Sequence, residues 1–346
     1  MPKPNTDHSG VIRRSTRLCN GYSDLCERKF DKVSYPTTHN SFAQGDNIAA
    51  NQNKDIKTQL DNGIRGFMLD LHSPSKALLR REKRADIVPT LCHASCTVLN
   101  AGPLVDELKN FKKFLDSNAN EVVTVFLENA DNFSPLDMAQ PFIDSGLDKY
   151  AFEPSTSNGT FVWPTLNEMI SMNKRLVVLG STSTDSTSKP WLLYDRDFAV
   201  QTSYSVKAGS PFDCNPLTAI QPLLVMNHFV SVDRSIFGLN VEIPDYNSAL
   251  SINTRESIVQ QANVCGAAGR FPTFVAVDFY DAGGVFKAVA DLNKVKYVES
   301  TATTFGQTSS SSTSGAAAVA SGMLVSRTGL AGIFSVVVAS LLSMAL

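Results

Sequence analysis

An excess of basic charge is missing from this chain. Its 31 Lys and Arg stand against 33 Asp and Glu in 346 residues, a formal net charge of -2. Without a basic surplus the main electrostatic argument for a nucleic-acid partner is gone. Charge of either sign is sparse at 18%, against 43% apolar residues, which excludes wholesale disorder and leaves ample material for a core. The opening residues, Met1 to Arg14, are polar and lack the apolar segment of about 7–15 residues that a secretory signal requires. Also missing is a second close Cys/His pair at zinc-site spacing to accompany Cys92 and Cys96.

What is present fits a secreted chain. The six cysteines fall as Cys19 and Cys26, Cys92 and Cys96, then Cys214 and Cys265. The even count suits three disulfides, with metal binding at the Cys-x3-Cys around His93 as the lesser alternative, and disulfides imply an oxidising compartment. Asn132-Phe133-Ser134 and Asn158-Gly159-Thr160 are glycosylation triplets that agree with secretion.

The carboxyl end changes character twice. From Glu299 onward the composition becomes Ser, Thr, Ala, Gly and Gln, too small and polar to pack, and from Gly329 to Leu346 it is apolar without a charge. Two readings compete: a membrane helix, or the removable signal of a GPI anchor. The second fits better, since Ser314-Gly315-Ala316 supplies small residues for attachment, at Ser314 or Gly315, and a spacer follows. An anchored protein must enter the secretory route, so the true start is expected upstream of Met1. The expected organisation is a disordered segment over 1–17, a folded domain over 18–298, a stalk and spacer over 299–328 and a hydrophobic tail over 329–346.

Within the body, short apolar runs alternate with helix-like segments such as Leu104 to Leu115 and Ser257 to Val264, the pattern of a parallel sheet with helical crossovers. The runs predict strands over Val33–Pro36, Gly66–Leu71, Ile87–Leu91, Val122–Leu127, Leu176–Leu179, Phe198–Val200, Leu223–Asn227 and Phe274–Asp278. Eight such strands predict an α/β fold closed as a (β/α)8 TIM barrel, for which the length leaves room for tails. Catalytic groups of such barrels stand at the carboxyl ends of strands. The first four predicted ends offer His39 with Asn40, Asp70, His93 and Glu128. Two imidazoles suit proton transfer both ways near neutral pH, while the oxygen donors Asn40, Asp70 and Glu128 suit Ca2+ or Mg2+. Asp278 ends the last strand, either to orient His39 or to meet substrate. His228 and His72 follow strands and could touch substrate, as could Tyr280. Arg65 is a further candidate for substrate binding, although its opposite strand parity to Met68 and Asp70 favours a structural role.

The segments THNSF, GIRGFMLDLH, LCHASC and VVTVFLENADN resemble the X-domain of phosphatidylinositol-specific phospholipases C in order and spacing. Cys19-Asn20-Gly21 through Cys26, Trp163-Pro164-Thr165-Leu166, Val225-Met226-Asn227 and CGAAGRFPTFVAVDFY resemble, more narrowly, the phospholipase C-like phosphodiesterases of plants and fungi, many of them GPI-anchored. The resemblance spans Leu18 to Leu292. It implies His39 as general base, His93 as general acid and a cyclic phosphate as intermediate or product. It also puts Asn40, Asp70 and Glu128 where calcium-dependent members keep ligands, although Met68 replaces an acidic one. Metal-free bacterial members place an arginine near the phosphate where this chain has Asp70. The implied protein is a phosphodiesterase of the outer cell surface, anchored to the membrane by GPI and acting on a phosphoinositide, GPI or related phospholipid headgroup, without a nucleic-acid partner. The alternatives are a glycerophosphodiesterase or phospholipase D-like activity, and a catalytically silent surface binder.

Overall fold

The computed structural model describes residues 17–74, 88–157, 160–182, 188–215, 221–236 and 239–299. The expected amino-terminal extension, the stalk beyond Glu299, the hydrophobic tail with Ser314 and Gly315, and the triplet at Asn158 lie outside the described residues. No helix among the described residues is long and apolar enough to cross a membrane.

The strands are β1 Tyr35–Thr38, β2 Gly66–His72, β3 Thr90–His93, β4 Leu99–Pro103, β5 Val123–Asn129, β6 Thr156–Ser157, β7 Thr160–Phe161, β8 Leu176–Gly180, β9 Leu192–Tyr194, β10 Ala199–Gln201, β11 Leu223–Asn227, β12 Ser231–Ile236, β13 Leu239–Pro244 and β14 Phe274–Val277. The helices are α1 Ile56–Asn62, α2 Leu104–Ser117, α3 Pro135–Ser145, α4 Leu166–Ser171, α5 Asp195–Phe198, α6 Tyr246–Ile252, α7 Arg255–Ala267 and α8 Val285–Leu292.

Eight strands run parallel in the order β10-β11-β14-β1-β2-β5-β8-β9, curling into a barrel. Among the described residues no strand pairing joins β9 and β10. Only the single turn of α5 joins them, and a parallel neighbour needs a crossover of about a dozen residues. The seam stays open for that reason.

One expected ring strand is corrected. The run predicted at Ile87–Leu91 appears as β3, which pairs antiparallel with β2 through Leu71 and Leu91 and through His72 and Thr90, then turns back as β4. Its place among the eight parallel strands is taken by β9, a run of only three residues. The other seven predicted strands fall within the ring, offset by a residue or two at their ends.

Strand parity separates two cores. Phe67, Leu69, Leu71, Val125, Leu127 and Val178 face outward and pack with α2 residues such as Leu108 and Phe111. Tyr35, Phe274, Ala276, Val177, Leu179 and Val225 fill the barrel, joined by Met68 and Phe126. The inward series Gly66, Met68, Asp70 thus climbs the interior and delivers Asp70 to the mouth. Gly66 is required there: a Cβ would stand 2.3 Å from Oγ1 of Thr37, its register partner on β1.

Candidate active site

Thr38 of β1 is in register with Val277 of β14, so the next residues, His39 and Asp278, emerge side by side. Asp278 continues the inward parity of Phe274 and Ala276. The His39 Nδ1–H donates to Asp278 Oδ1 at 2.9 Å, which leaves Nε2 as the free lone pair. The Asn51 amide donates to the same carboxylate oxygen at 3.0 Å. Phe229 lies flat on the imidazole, ring centroids 3.9 Å apart and planes 1° from parallel. Gln52 donates to the backbone oxygens of His39 and Val277 at 2.8 and 3.1 Å, tying the two strand ends together.

Asp70 and Glu128 are register partners on β2 and β5. The amide of Asn40 lies 2.7 Å from His93 Nδ1, 3.1 and 3.2 Å from the Asp70 oxygens and 3.2 Å from Asn51 Oδ1. The orientation that suits the carboxylate and the ring puts Asn40 Nδ2–H on Asp70 and the His93 Nδ1–H on Asn40 Oδ1. Asp70 Oδ2 stands 3.7 Å from His93 Nδ1. Asp278, Asn51 and Asn40 thus stand in line between the two imidazoles, each within 3.2 Å of the next. Both rings remain about one-fifth exposed, His39 at 22% and His93 at 21%.

Burial works against a charged His39, but the Asp278 carboxylate, supported by Asp70 and Glu128, outweighs it, so the imidazole pKa rises above its ordinary value. Desolvation and the neighbouring Asp70 charge push the Glu128 carboxyl up, with both histidines pulling the other way. His39, His93, Asp70, Glu128, Asp278 and Asn40 are thus gathered at one mouth.

Three residues named as possible substrate contacts are not there. Arg65 lies at the opposite, amino-terminal end of the barrel, where Nε donates to Glu121 Oε2 at 2.7 Å and the guanidinium covers Phe114. The parity argument for a structural role agrees with that placement. His228 is fully buried, held by Gln261 Oε1 at 2.7 Å and the Ile252 carbonyl at 2.9 Å, and burial lowers its pKa. Tyr280 is 2% exposed in the outer core, its hydroxyl accepting from Asn62. Outward parity or depth removes each from the mouth. His72, the last residue of β2 and of the same strand parity as Asp70, pairs with Asp131 at 3.5 Å.

Two contributors escaped the sequence reading. Phe229 keeps the inward parity of Val225 and Asn227 beyond the end of β11, a signal that was available. Asn51 sits in the loop between β1 and α1, where no periodicity marks it.

The donors suit a hard dication poorly. Such an ion takes about 6–8 oxygens as Ca2+, whereas the mouth offers Asp70, Glu128 and Asn40, with the Asn40 amide already committed to Asp70 and His93. Below them the interior position is the thioether of Met68, a soft group. Among the described residues, no group of three or more His, Cys, Asp or Glu side chains could hold a metal ion. The three donors fall short of a full protein ligand set for Ca2+.

All three expected disulfides are formed, Cys19–Cys26, Cys92–Cys96 and Cys214–Cys265. Asn132 of the first glycosylation triplet is exposed just after a turn, with φ 58°.

Fold and site together define a single parallel α/β barrel with ionisable side chains collected at its carboxyl mouth. The PI-PLC X family model matches residues 25–293, and the chain belongs to that family. Among curated proteins, an uncharacterized secreted protein of Arthroderma benhamiae is 30% identical, over 82% of this chain and 65% of the relative. The PI-PLC X domain-containing protein 1 of the same fungus is 30% identical, over 80% of this chain and 89% of the relative. A PI-PLC X domain-containing protein of Arabidopsis thaliana is 28% identical, over 76% and 62% respectively. The chain therefore spans less than two thirds of the first and third of these. Among solved structures, phosphatidylinositol-specific phospholipase C from Listeria monocytogenes shares the fold with a TM-score of 0.50 at 15% identity, over 79% of this chain and 96% of that one.

Proposed function

We propose that the protein is a phosphoric diester hydrolase that cleaves a phosphodiester bearing a neighbouring hydroxyl, as in a phosphoinositide or a GPI. The reading is carried by one observation: two partly exposed imidazoles gathered at a single mouth, with Asp278, Asn51 and Asn40 in line between them. Family membership supports it. His39, its Nδ1–H held by Asp278, takes the hydroxyl proton on Nε2 as that oxygen attacks phosphorus. His93 delivers a proton to the departing oxygen, and a cyclic phosphate forms; the now neutral His93 then takes a proton from water as it attacks phosphorus, and His39 returns its proton to the ring oxygen as the cycle opens to the monoester. Asp278 stabilises the imidazolium that His39 becomes; Asn40 and Asp70 hold the His93 ring. The donor set favours a reaction without a resident dication.

His39→Ala and His93→Ala are each expected to lower turnover of such a phosphodiester by about 10²- to 10⁴-fold, the usual worth of a positioned acid or base. Chelator should leave wild-type turnover intact, and a cyclic phosphate should appear before the monoester that water opens it to. Equal turnover in wild type and both variants would end the proposal. Cleavage in which no cyclic phosphate forms at any time would favour the glycerophosphodiesterase or phospholipase D-like alternative.

The disulfides and the secreted relative support an extracellular setting, and the polar stalk and apolar tail of the sequence support a GPI anchor at the cell surface. Treating intact cells with a GPI-cleaving phospholipase should release the protein, in a form that loses mass on N-glycanase treatment. Complete retention on the cells counts against the anchor.

A further inference from the structure

The two imidazoles are carried by different kinds of support. His39 ends a ring strand whose neighbours on both sides are paired to it. His93 ends β3, which is outside the ring. Among the described residues that strand pairs with β2 only at Leu91 and Thr90, so His93 lies beyond the last backbone pairing with the barrel sheet. On its other side the register with β4 slips between Leu91 and Cys92. The ladder resumes with Cys92 opposite Asn100 and His93 opposite Leu99, so the strand pairing of His93 is to the outlying β4 and not to the ring.

A covalent brace takes over at that point. Cys92 and Cys96 close residues 92–96 into a loop with His93 inside it. Cys92 is fully buried, anchoring one side, while Cys96 is half-buried at the rim. Within the loop Ala94 takes φ 58°, a conformation that an alanine keeps only where its surroundings over-determine it. The Ser95 N–H donates to the His93 carbonyl at 2.7 Å. Apart from the loop itself, the polar contacts of the His93 ring are Asn40 and Asp70.

We propose that the Cys92–Cys96 disulfide is a positioning device for His93, setting the imidazole where the departing oxygen is protonated and leaving the His39 half of the reaction to the ring strands. The inference rests on His93 being the general acid. It predicts a particular chemical signature: loss of the brace harms substrates whose leaving oxygen needs a proton and spares those whose leaving oxygen departs as a stable anion. A cross-link that merely stabilised the fold would affect both alike.

The test uses the full chain and two phosphodiesters with the same vicinal-hydroxyl headgroup, one releasing an alkyl alcohol and the other 4-nitrophenol. Wild type is compared with Cys92→Ala/Cys96→Ala, with His93→Ala, and with Cys19→Ala/Cys26→Ala, whose disulfide lies beside the opposite end of the barrel. The Cys92→Ala/Cys96→Ala protein is expected to lose about 10²-fold on the alkyl ester and under about 5-fold on the nitrophenyl ester, sharing the pattern of His93→Ala. The retained nitrophenyl turnover shows that its site is folded. Cys19→Ala/Cys26→Ala should leave the ratio of the two rates at its wild-type value. Equal losses on both esters, or no loss on either, in Cys92→Ala/Cys96→Ala would overturn the inference. If His93→Ala itself shows no preference for the nitrophenyl ester, the assignment of His93 as acid fails instead.

Discussion

At the scale of single residues, three side chains at the mouth share a backbone device: His39, His93 and Asp278 are each followed by a residue with positive φ, namely Asn40 at 42°, Ala94 at 58° and Phe279 at 45°. Asparagine tolerates that region, while alanine and phenylalanine accept a cost of about 1–2 kcal/mol. The sharp turn ends each strand directly after the side chain it delivers, so the chain leaves the mouth open instead of running across it. Asp278 has a measurable consequence. Burial disfavours the His39 cation, yet Asp278, Asp70 and Glu128 together raise its pKa, so the acidic limb of kcat/KM, where the base must be unprotonated, is expected above the ordinary histidine value of about 6.5. Asp278→Asn removes the nearest stabilising charge; the limb should move to lower pH, while the rate on its plateau falls by about 10²-fold or more. A pH–rate profile whose midpoint does not move would disprove the coupling. His39, His93, Asp70 and Glu128 were legible because each ends an apolar run. Asn51, which stands between the pair, was not, since a loop amide acquires its role only through what folds against it.

Among the elements, β1 and β2 show how tightly the ring is fitted. Thr37 projects into the interior with its hydroxyl donating to the Tyr35 carbonyl at 3.0 Å, and it occupies the volume that a side chain at position 66 would need. Gly66→Ala is therefore expected to cost about 1–3 kcal/mol, as overpacking does, read from thermal or urea unfolding, with Thr37→Ala in the same chain recovering part of the loss. A Gly66→Ala protein within about 0.5 kcal/mol of wild type, the spread of ordinary surface substitutions, would mean that Thr37 yields without strain. The reading of strands from apolar runs worked where a run is long and bounded, as at Gly66–Leu71 or Leu223–Asn227. It misjudged β3 because a short buried run looks alike in parallel and antiparallel pairing. It passed over Leu192–Tyr194 because three residues carry too little pattern to stand out.

For the whole molecule, an open ring, an interior core and an outer core are arranged so that ionisable side chains appear at the mouth and apolar ones below. Parity along each strand is local, so the order of residues alone determined that Met68 and Asp70 share a face, that Arg65 does not, and that imidazoles and carboxylates end successive runs. The cysteine pairs and the near-neutral charge were legible in the same way, since they depend on composition and spacing. Ring membership and depth are different quantities. They follow from which distant segments exchange hydrogen bonds and how elements stack, and the same short run satisfies several partners equally well. Only the tertiary structure decided that β3 hangs outside the barrel, that β9 replaces it, that His228 and Tyr280 are sealed in the core, and that Asn51 and Asn40 stand between two histidines separated by more than fifty residues of chain.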